Sequence, residues 1–312
     1  MALNSICDVP GIRVGHMQND VARTGCTVIL PERPAVAGVD VRGSAPGTRE
    51  VELLYPVRMV TAIHGLLLSG GSSFGLDAAG GVQKYLEERG LGFEIGLVKV
   101  PLVPAAVIFD LLVGDHLVRP DAEMGYQACL SATSTEARQG LVGAGCGATV
   151  GKIRGMSFCM PGGVGTASWR KDELAFGALA VVNALGDVVD PATGEILAGA
   201  RGEGGAWLNT TEALKRNPGA ALASWGNTTL AVVATNAAFN KEGITKIAQM
   251  AQDGLAQALR PAHTLYDGDL VFALSVGKEK AEVVAAGAIA AELVARAIVN
   301  AVKASKQLTS LP

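Results

Sequence analysis

The sequence has little of what metal sites, disulfide frameworks and nucleic-acid surfaces require. Its five cysteines are scattered without CxxC spacing, and its four histidines form no HExxH motif or His/Cys cluster. We therefore expect buried thiols, no metal and no cofactor. The net charge of −3 comes with no basic stripe that could neutralise a phosphate backbone, so nucleic acid is not an expected partner.

Long apolar runs and a basic, apolar leader are also missing from the sequence. No stretch of about 18 uninterrupted apolar residues occurs, which argues against a membrane span. The opening segment MALNSICDVPG has no basic region followed by an apolar run. We expect a cytoplasmic protein that does not insert into a membrane.

The composition that is present predicts a large, closely packed core. The 312 residues are 49% hydrophobic and include 40 glycines but only 4% aromatics, which favours layers packed through small side chains. Helices are predicted over Lys241–Leu259 and Lys278–Lys306, and another should follow the Gly/Ser loop and end at Gly90. The main predicted strands are Ile12–His16, Cys26–Leu30, Val36–Val41, Leu97–Val103, Gly143–Gly151, Gly165–Trp169, Leu174–Asn183, Thr228–Thr235 and Asp269–Val276. This pattern predicts two packed sheets covered by helices, in a single domain spanning 1–312.

One region interrupts the regular pattern. Residues Asp190–Trp225 are rich in Gly and Ala, polar and weakly periodic. We interpret them as an exposed, mobile connection that ends at the motif GNTT.

Several polar groups are candidates for chemistry, and each also has a purely structural interpretation. The loop Gly70–Gly75 could line a pocket or hold an anion at a helix start, or it could be a tight turn that packs the helix. Asp267-Gly268-Asp269 places two carboxylates on one face of an extended segment, where they could share a proton, or it could be a polar hairpin turn. Lys152 and Asn183 each end an apolar, strand-like run, which alone is typical of solvated strand ends.

The pair Asn227-Thr228 is the sharpest candidate. It could be a turn before a strand, because Asn tolerates unusual backbone angles. It could also be a point of self-cleavage, at which Thr228 attacks the preceding carbonyl in an N-to-O acyl shift that is followed by hydrolysis. The new N-terminal threonine would then carry both a nucleophilic hydroxyl and an α-amine with a pKa near about 7.7–8.0 that can act as its base.

A series of ordered motifs across nearly the whole chain resembles one family. These are VPGIRVGH, TGCTVIL, SGGSSFGLDAAGGVQKYLEERG, GAGCGATVGK, AFGALAVVNALGDVVDP, GNTTLAVVATNA and DGDLVFALS. The chain resembles the self-processing L-aminopeptidase/D-amidase-esterase family, which includes β-peptidyl aminopeptidases and the nylon (6-aminohexanoate) oligomer endohydrolase. The resemblance implies an α+β fold, a four-layer αββα sandwich like that of N-terminal-nucleophile hydrolases. It also implies a homo-oligomer of α/β heterodimers, for which a tetramer is one option.

The resemblance also implies roles for individual residues. Cleavage between Asn227 and Thr228 would give an α chain of 1–227 and a β chain of 228–312, with Thr228 as the nucleophile. Asn183 matches the asparagine whose amide helps to hold the oxyanion. Asp267 and Asp269 match the polar pair that positions the nucleophile. Lys152 matches a lysine near the nucleophile in the nylon-oligomer branch, and Tyr126 matches a pocket tyrosine that would bind substrate.

The sequence departs from many aminopeptidases of this family, which begin the β chain with Ser and carry a Ser-x-Glu pair. Asn-Thr with Asp-Gly-Asp favours the nylon-oligomer branch. The predicted activity is therefore hydrolysis of linear amides or short peptides through an acyl-enzyme, without a metal. Three alternatives stay open: an aminopeptidase of the same family, an acyltransferase similar to ornithine acetyltransferases, and an uncleaved binding protein.

Overall fold

The computed structural model describes residues 3–219 and 226–309. The helices are α1 (Ala78–Glu87), α2 (Ala122–Leu130), α3 (Thr210–Arg216), α4 (Lys241–Ala258) and α5 (Val283–Thr309). The strands are β1 (Ile12–Asn19), β2 (Thr24–Pro31), β3 (Ala35–Val41), β4 (Thr48–Arg49), β5 (Ala62–Ile63), β6 (Leu66–Ser69), β7 (Phe93–Ile95), β8 (Val98–Val100), β9 (Ala105–Val107), β10 (Thr149–Val150), β11 (Met160–Pro161), β12 (Gly163–Lys171), β13 (Leu174–Asn183), β14 (Asp187–Val189), β15 (Ile196–Ala198), β16 (Thr228–Ala237), β17 (Leu259–Arg260) and β18 (Leu270–Glu279).

Two mixed sheets form the centre of the molecule. One has the strand order β1-β2-β6-β9-β4, and the other has the order β12-β13-β16-β18-β3-β5. Neighbouring strands are antiparallel in both sheets, except for the parallel pairs β6–β9 and β16–β18. In the six-stranded sheet, β16 and β18, which follow the predicted cleavage point, therefore lie side by side between strands that precede it.

Alternation along the strands divides the core into layers. In β16, Leu230 and Val232 face the five-stranded sheet, whereas Ala231 and Val233 face α4 and α5. The helices α1 and α2 cover the outer face of the five-stranded sheet through a separate apolar cluster. The result is a four-layer αββα arrangement, which confirms the predicted α+β fold.

The central elements agree closely with the sequence predictions. The strand predicted over Leu174–Asn183 is β13 itself, and Thr228–Thr235 lies within β16. The helix predicted over Lys241–Leu259 is α4, whereas α5 begins at Val283, five residues later than predicted. Long buried elements carry the strongest periodic signal, and these predictions are confirmed.

Two strand predictions were largely wrong. Within Gly143–Gly151, residues Gly143–Gly145 form a 3₁₀ turn and only Thr149–Val150 pair as a strand. Gly143 has a φ of +52° and lies so close to His16 and Thr27 that a Cβ would clash with both side chains, so a tertiary contact overrides the local pattern. Within Leu97–Val103, only Val98–Val100 are paired, in an exposed hairpin.

The segment 190–225, predicted as an exposed, mobile connection, contains regular secondary structure in its described part. It contains β15 and α3, and the buried Asp187 anchors both. The Asp187 carboxylate accepts hydrogen bonds from the backbone N–H groups of Thr210 (2.6 Å) and Ala200 (3.1 Å). The last six residues of the predicted connection, 220–225, lie outside the described part of the chain.

One helix of the described chain, α5, is long and apolar enough to cross a membrane by length and composition. Its segment Val283–Gln307 has a mean hydropathy of 1.7. However, α5 packs against β12, β13 and α4, and residues such as Leu293 and Ile298 are buried in the apolar cluster there. The helix is therefore a core element of this fold.

Candidate active site

Strand pairing brings Thr228 and Asn183 together. Thr228 is the first residue of β16 and pairs with Asn183, the last residue of β13. Two residues further along, Leu230 pairs with Val181, and both of these side chains face the space between the sheets. Because side chains alternate along a strand, Thr228 and Asn183 face the same space at its open end.

The peptide bond before Thr228 is held in a defined geometry. The Thr228 hydroxyl Oγ1 donates a hydrogen bond to the Asn227 carbonyl oxygen at 2.5 Å, and the Gly268 N–H donates to the same oxygen at 2.9 Å. Gly226 has a φ of +85°, and a Cβ there would lie 2.4 Å from the Phe109 ring. The hydroxyl, the carbonyl and a donor to that carbonyl therefore converge at the predicted cleavage point.

Lys152 and Asn183 form a buried network behind this peptide. Lys152 Nζ donates to the Asn183 Oδ1 (2.7 Å), to the Asn183 carbonyl (3.1 Å) and to the Gly226 carbonyl (3.4 Å). Asn183 Nδ2 donates to the carbonyls of Phe109 (3.1 Å) and Gly226 (3.3 Å). In the intact chain this amide thus holds the carbonyl of Gly226 and not that of Asn227. Its part at an oxyanion stays a prediction.

The environment of Lys152 favours its neutral form. The side chain is 1% exposed, and its hydrogen-bond partners are neutral oxygens. Burial lowers the pKa of Lys152 to about 7, while the more distant acidic groups Cys159, Asp267 and Asp110 partly oppose the shift. A substantial fraction of Lys152 is therefore uncharged at neutral pH.

The two aspartates of the Asp-Gly-Asp motif are both buried beside β16, and they have different partners. Asp267 Oδ2 accepts hydrogen bonds from the backbone and the hydroxyl of Thr264, whereas Asp269 Oδ1 accepts the N–H of Thr229 at 2.7 Å. Burial, followed by repulsion from Asp269, raises the pKa of Asp267 to about 6. The motif thus anchors the residue after Thr228. Among the described residues, no group of three or more His, Cys, Asp or Glu side chains could hold a metal ion.

A cavity of about 300 Å³ opens beside Thr228. Its described lining comes from residues 45–47, 72–73, 107–109, 226–228 and 265–266, and none of these side chains is charged. The lining includes Ser72 and Ser73, so the Gly/Ser loop takes the pocket-lining role that the sequence left open. Asp110 fixes this loop by accepting the Gly71 N–H at 2.7 Å.

A larger cavity, of about 630 Å³, lies at the far ends of β16 and β18, where Asn236 and Ser275 contribute to its lining. Asn236 is eight residues along the strand from Thr228, which corresponds to roughly 26 Å. None of the candidate catalytic residues lines it. The smaller cavity, which Thr228 lines, is therefore the candidate active site.

Tyr126 does not join the other predicted site residues. It lies on α2, where its hydroxyl donates to Glu88 at 2.7 Å and its ring packs edge-on against Tyr85. It is not among the described residues that line the cavity at Thr228. The fold of the single chain gives Tyr126 a place in the outer helical layer.

Three polar residues of this region were not predicted from the sequence: Asp110, His263 and Thr264. His263 contacts Asp269 and Thr264 contacts Asp267, both from the loop just before the Asp-Gly-Asp motif. The segment HTLYDGD is unusually polar for the start of a buried strand, and that contrast was a usable signal. Asp110 offered no such signal, because its partners Thr24 and Gly71 are distant in sequence.

Comparison with known proteins decides the family. The profile of peptidase family S58 matches residues 4–311. The chain belongs to peptidase family S58. This confirms the resemblance inferred from the motifs, and it confirms the expected enzyme class, a hydrolase of amide or peptide bonds.

Relatives of this S58 protein include both exo- and endo-acting enzymes by name. An uncharacterized aminopeptidase of Mycobacterium bovis is 42% identical over 99% of this chain and 96% of its own length. A 6-aminohexanoate-oligomer endohydrolase of a Kocuria species is 30% identical over 95% of this chain and 85% of its own length. The L-aminopeptidase D-Ala-esterase/amidase of Ochrobactrum anthropi, described as a variant of the Ntn hydrolase fold, superposes with a TM-score of 0.73 at 17% identity, over 97% of this chain and 86% of that one. The solved structure supports the fold of this S58 chain.

Proposed function

We propose that this S58 protein cleaves its own Asn227–Thr228 bond and then acts as an N-terminal-threonine amidohydrolase on linear amides. The observation that carries the proposal is the convergence at the Asn227 carbonyl, where the Thr228 hydroxyl lies at 2.5 Å and the Gly268 N–H at 2.9 Å. A nucleophile and a hydrogen-bond donor at one carbonyl are what acyl transfer requires.

The proposed processing step is an N-to-O acyl shift. Thr228 Oγ1 attacks the Asn227 carbonyl carbon, and the Gly268 N–H stabilises the negative charge that develops on the oxygen. The C–N bond then breaks, the Thr228 nitrogen takes a proton and becomes the free amine, and Asn227 is left as an ester on Oγ1. Hydrolysis of this ester gives the Asn227 carboxylate and regenerates the hydroxyl. Lys152, with a pKa of about 7, is our candidate for the base that removes the hydroxyl proton.

The same groups support the proposed turnover. The free α-amine of Thr228 takes the hydroxyl proton as Oγ1 attacks the substrate amide, and it delivers that proton to the leaving amine. The resulting acyl-enzyme is an ester, and water releases the acid from it. Asn183 Nδ2 loses one of its two acceptors when Gly226 departs and keeps the Phe109 carbonyl. One neutral N–H is then free for the oxyanion, worth on the order of 3 kcal/mol.

The cavity lining bears on the substrate. A free substrate amine is commonly bound by a carboxylate, and no acidic side chain lines the described cavity. This favours an uncharged, linear amide cut internally, as in the activity named for the 6-aminohexanoate-oligomer endohydrolase. The second candidate is an aminopeptidase or β-peptidyl aminopeptidase activity, and the name of the 42%-identical relative favours an aminopeptidase. A panel of aminoacyl p-nitroanilides, β-dipeptides and 6-aminohexanoate oligomers separates the two.

Intact-mass spectrometry of the purified protein tests the proposal. We expect the 312-residue chain to convert into fragments 1–227 and 228–312 in the wild type and in Thr228→Ser, and to stay whole and inactive in Thr228→Ala. A wild-type chain that remains whole after long incubation would instead support an uncleaved binding protein. Amide hydrolysis by Thr228→Ala would exclude Thr228 as the nucleophile, and acyl transfer to an added amine would support an acyltransferase.

We also propose that the cleaved α/β pairs assemble into a cytoplasmic homo-oligomer without nucleic-acid or membrane partners. The support is the family assignment and the dispersed charge of the sequence. Light scattering coupled to size-exclusion chromatography measures the assembly directly, and a monodisperse single α/β pair would contradict it.

A further inference from the structure

His263 holds the Asp269 carboxylate with two hydrogen bonds. Its backbone N–H donates to Asp269 Oδ2 at 2.9 Å, and its ring nitrogen Nδ1 lies 3.1 Å from the same oxygen. A carboxylate oxygen can only accept, so the ring carries its proton on Nδ1. The other ring nitrogen, Nε2, is buried and has no hydrogen-bond partner among the described residues.

The other oxygen of Asp269 faces the nucleophile strand. Asp269 Oδ1 accepts the N–H of Thr229, the residue next to Thr228, at 2.7 Å. Three N–H groups therefore fix the orientation of one carboxylate, two of them from His263. If the donors on Oδ2 were lost, the carboxylate could rotate about its terminal torsion and release Thr229.

The neighbouring carboxylate is held by a different residue of the same loop. Asp267 Oδ2 accepts the backbone N–H of Thr264 at 2.9 Å and the Thr264 hydroxyl, and among the described residues the Leu185 N–H approaches Asp267 Oδ1 at 3.5 Å. Thr264 therefore holds Asp267, whereas His263 holds Asp269.

We propose that His263 is a positioning residue for the nucleophile, acting through Asp269 on the Thr228–Thr229 peptide. The inference rests on the proposed function. After cleavage Thr228 has no covalent neighbour on its N-terminal side, so the contacts of Thr229 and the sheet must hold its hydroxyl in place. A displacement of the Thr228 hydroxyl would slow catalysis, because the reacting atoms must stay aligned.

Two substitutions of matched shape test the inference. His263 has a φ of +56°, a conformation that Asn and Asp both tolerate, so neither variant strains the backbone more than the other. In His263→Asn, the amide nitrogen can replace Nδ1 as the donor to Asp269. In His263→Asp, a second carboxylate faces Asp269 and no donor replaces it.

The readouts are processing by intact mass and steady-state kinetics of the cleaved enzyme with the best substrate of the panel. We expect His263→Asn to keep processing and kcat within about threefold of the wild type, and His263→Asp to lower both by about 10–100-fold with KM little changed, as for a lost hydrogen bond to a charged group. Equal rates in the two variants would overturn the inference. A wild type that neither cleaves nor turns over would overturn the proposed function itself.

A measurement on the unsubstituted protein keeps the inference testable if a variant fails to fold. The sequence has only four histidines, so nitrogen NMR of ¹⁵N-histidine-labelled protein can resolve each ring. We expect His263 to carry its proton on Nδ1. A proton on Nε2 alone would overturn the inference.

Discussion

At the scale of single residues, Gly268 leaves no room for a side chain beside the nucleophile. A Cβ there would lie 2.7 Å from Thr228 Oγ1 and 2.7 Å from the Ala45 carbonyl oxygen. We expect Gly268→Ala to slow processing by at least about tenfold, because the methyl group displaces a hydroxyl that must stay aligned with the carbonyl. Time-resolved intact mass measures this. Gly80→Ala is the matched control, because nothing lies nearer than 4.0 Å to its added Cβ and its processing should be normal.

The buried Lys152 should leave a signature in the pH dependence of stability. Its pKa is about 7 in the folded chain, against an ordinary value of 10.5. Between these values the unfolded chain binds more protons, so the free energy of unfolding should rise with pH, by up to about 1.4 kcal/mol per pH unit. Below pH 7 lysine is protonated in both states, and the contribution becomes constant.

Urea unfolding between pH 7 and 9 measures this effect in the uncleaved Thr228→Ala background. Adding Lys152→Met, which keeps the length of the side chain but cannot ionise, should flatten the slope. If the two proteins show the same slope, Lys152 is charged in the folded state and is not a base at neutral pH.

At the scale of secondary structure, Asp187 organises the segment that leads toward the cleavage point. Its carboxylate anchors β15 and α3 by accepting the N–H groups of Ala200 and Thr210. We expect Asp187→Asn to lower the free energy of unfolding by about 1–3 kcal/mol, since one oxygen is replaced by a donor that faces other donors. Hydrogen exchange should rise in residues 198–216. Asp190→Asn is the control, because its side chain caps an exposed turn that Asn can cap equally well.

Individual strands also show which parts of the fold could be predicted from the sequence. β13 and β16 were predictable because each is a long run of apolar residues that is buried on both faces. The segment Gly143–Gly151 was not, since its small residues resemble a strand while its conformation is set by contact with His16 and Thr27. The ordered part of the 190–225 segment was missed because a single distant carboxylate, that of Asp187, supplies its anchor.

Only part of the candidate site could be predicted from residue types and spacing. Residue types and spacing alone left Thr228, Lys152 and Asn183 open to structural interpretations, and the family motifs gave them roles. The structure then brings all three together around the Gly226-Asn227 peptide. The family resemblance also implied Tyr126 as a pocket residue, although Tyr126 lies outside the shared motifs, and the fold of the single chain places it against Glu88 and Tyr85 in the outer helical layer.

At the scale of the whole molecule, the proposed cleavage would not divide the fold. In the six-stranded sheet, β16 and β18 lie between β13 and β3, so residues 228–312 are enclosed by strands of 1–227. We expect the cleaved protein to migrate as one species under native conditions and to separate only in denaturant. After removal of denaturant, uncleaved Thr228→Ala should refold, whereas the cleaved wild type should not, because two chains must then find each other. Recovery of native circular dichroism in both would contradict this.

The hydrogen bonds to the Gly226 carbonyl have a consequence for the start of activity. Lys152 and Asn183 hold this carbonyl in the intact chain, and the proposed cleavage would place a new carboxylate only one residue further along the same tail. A tethered anion next to a buried lysine is present at a high effective concentration. If the proposed cleavage occurs, the new active site would at first be occupied by the C-terminal tail of residues 1–227, and we expect the first turnover to require that this tail leaves.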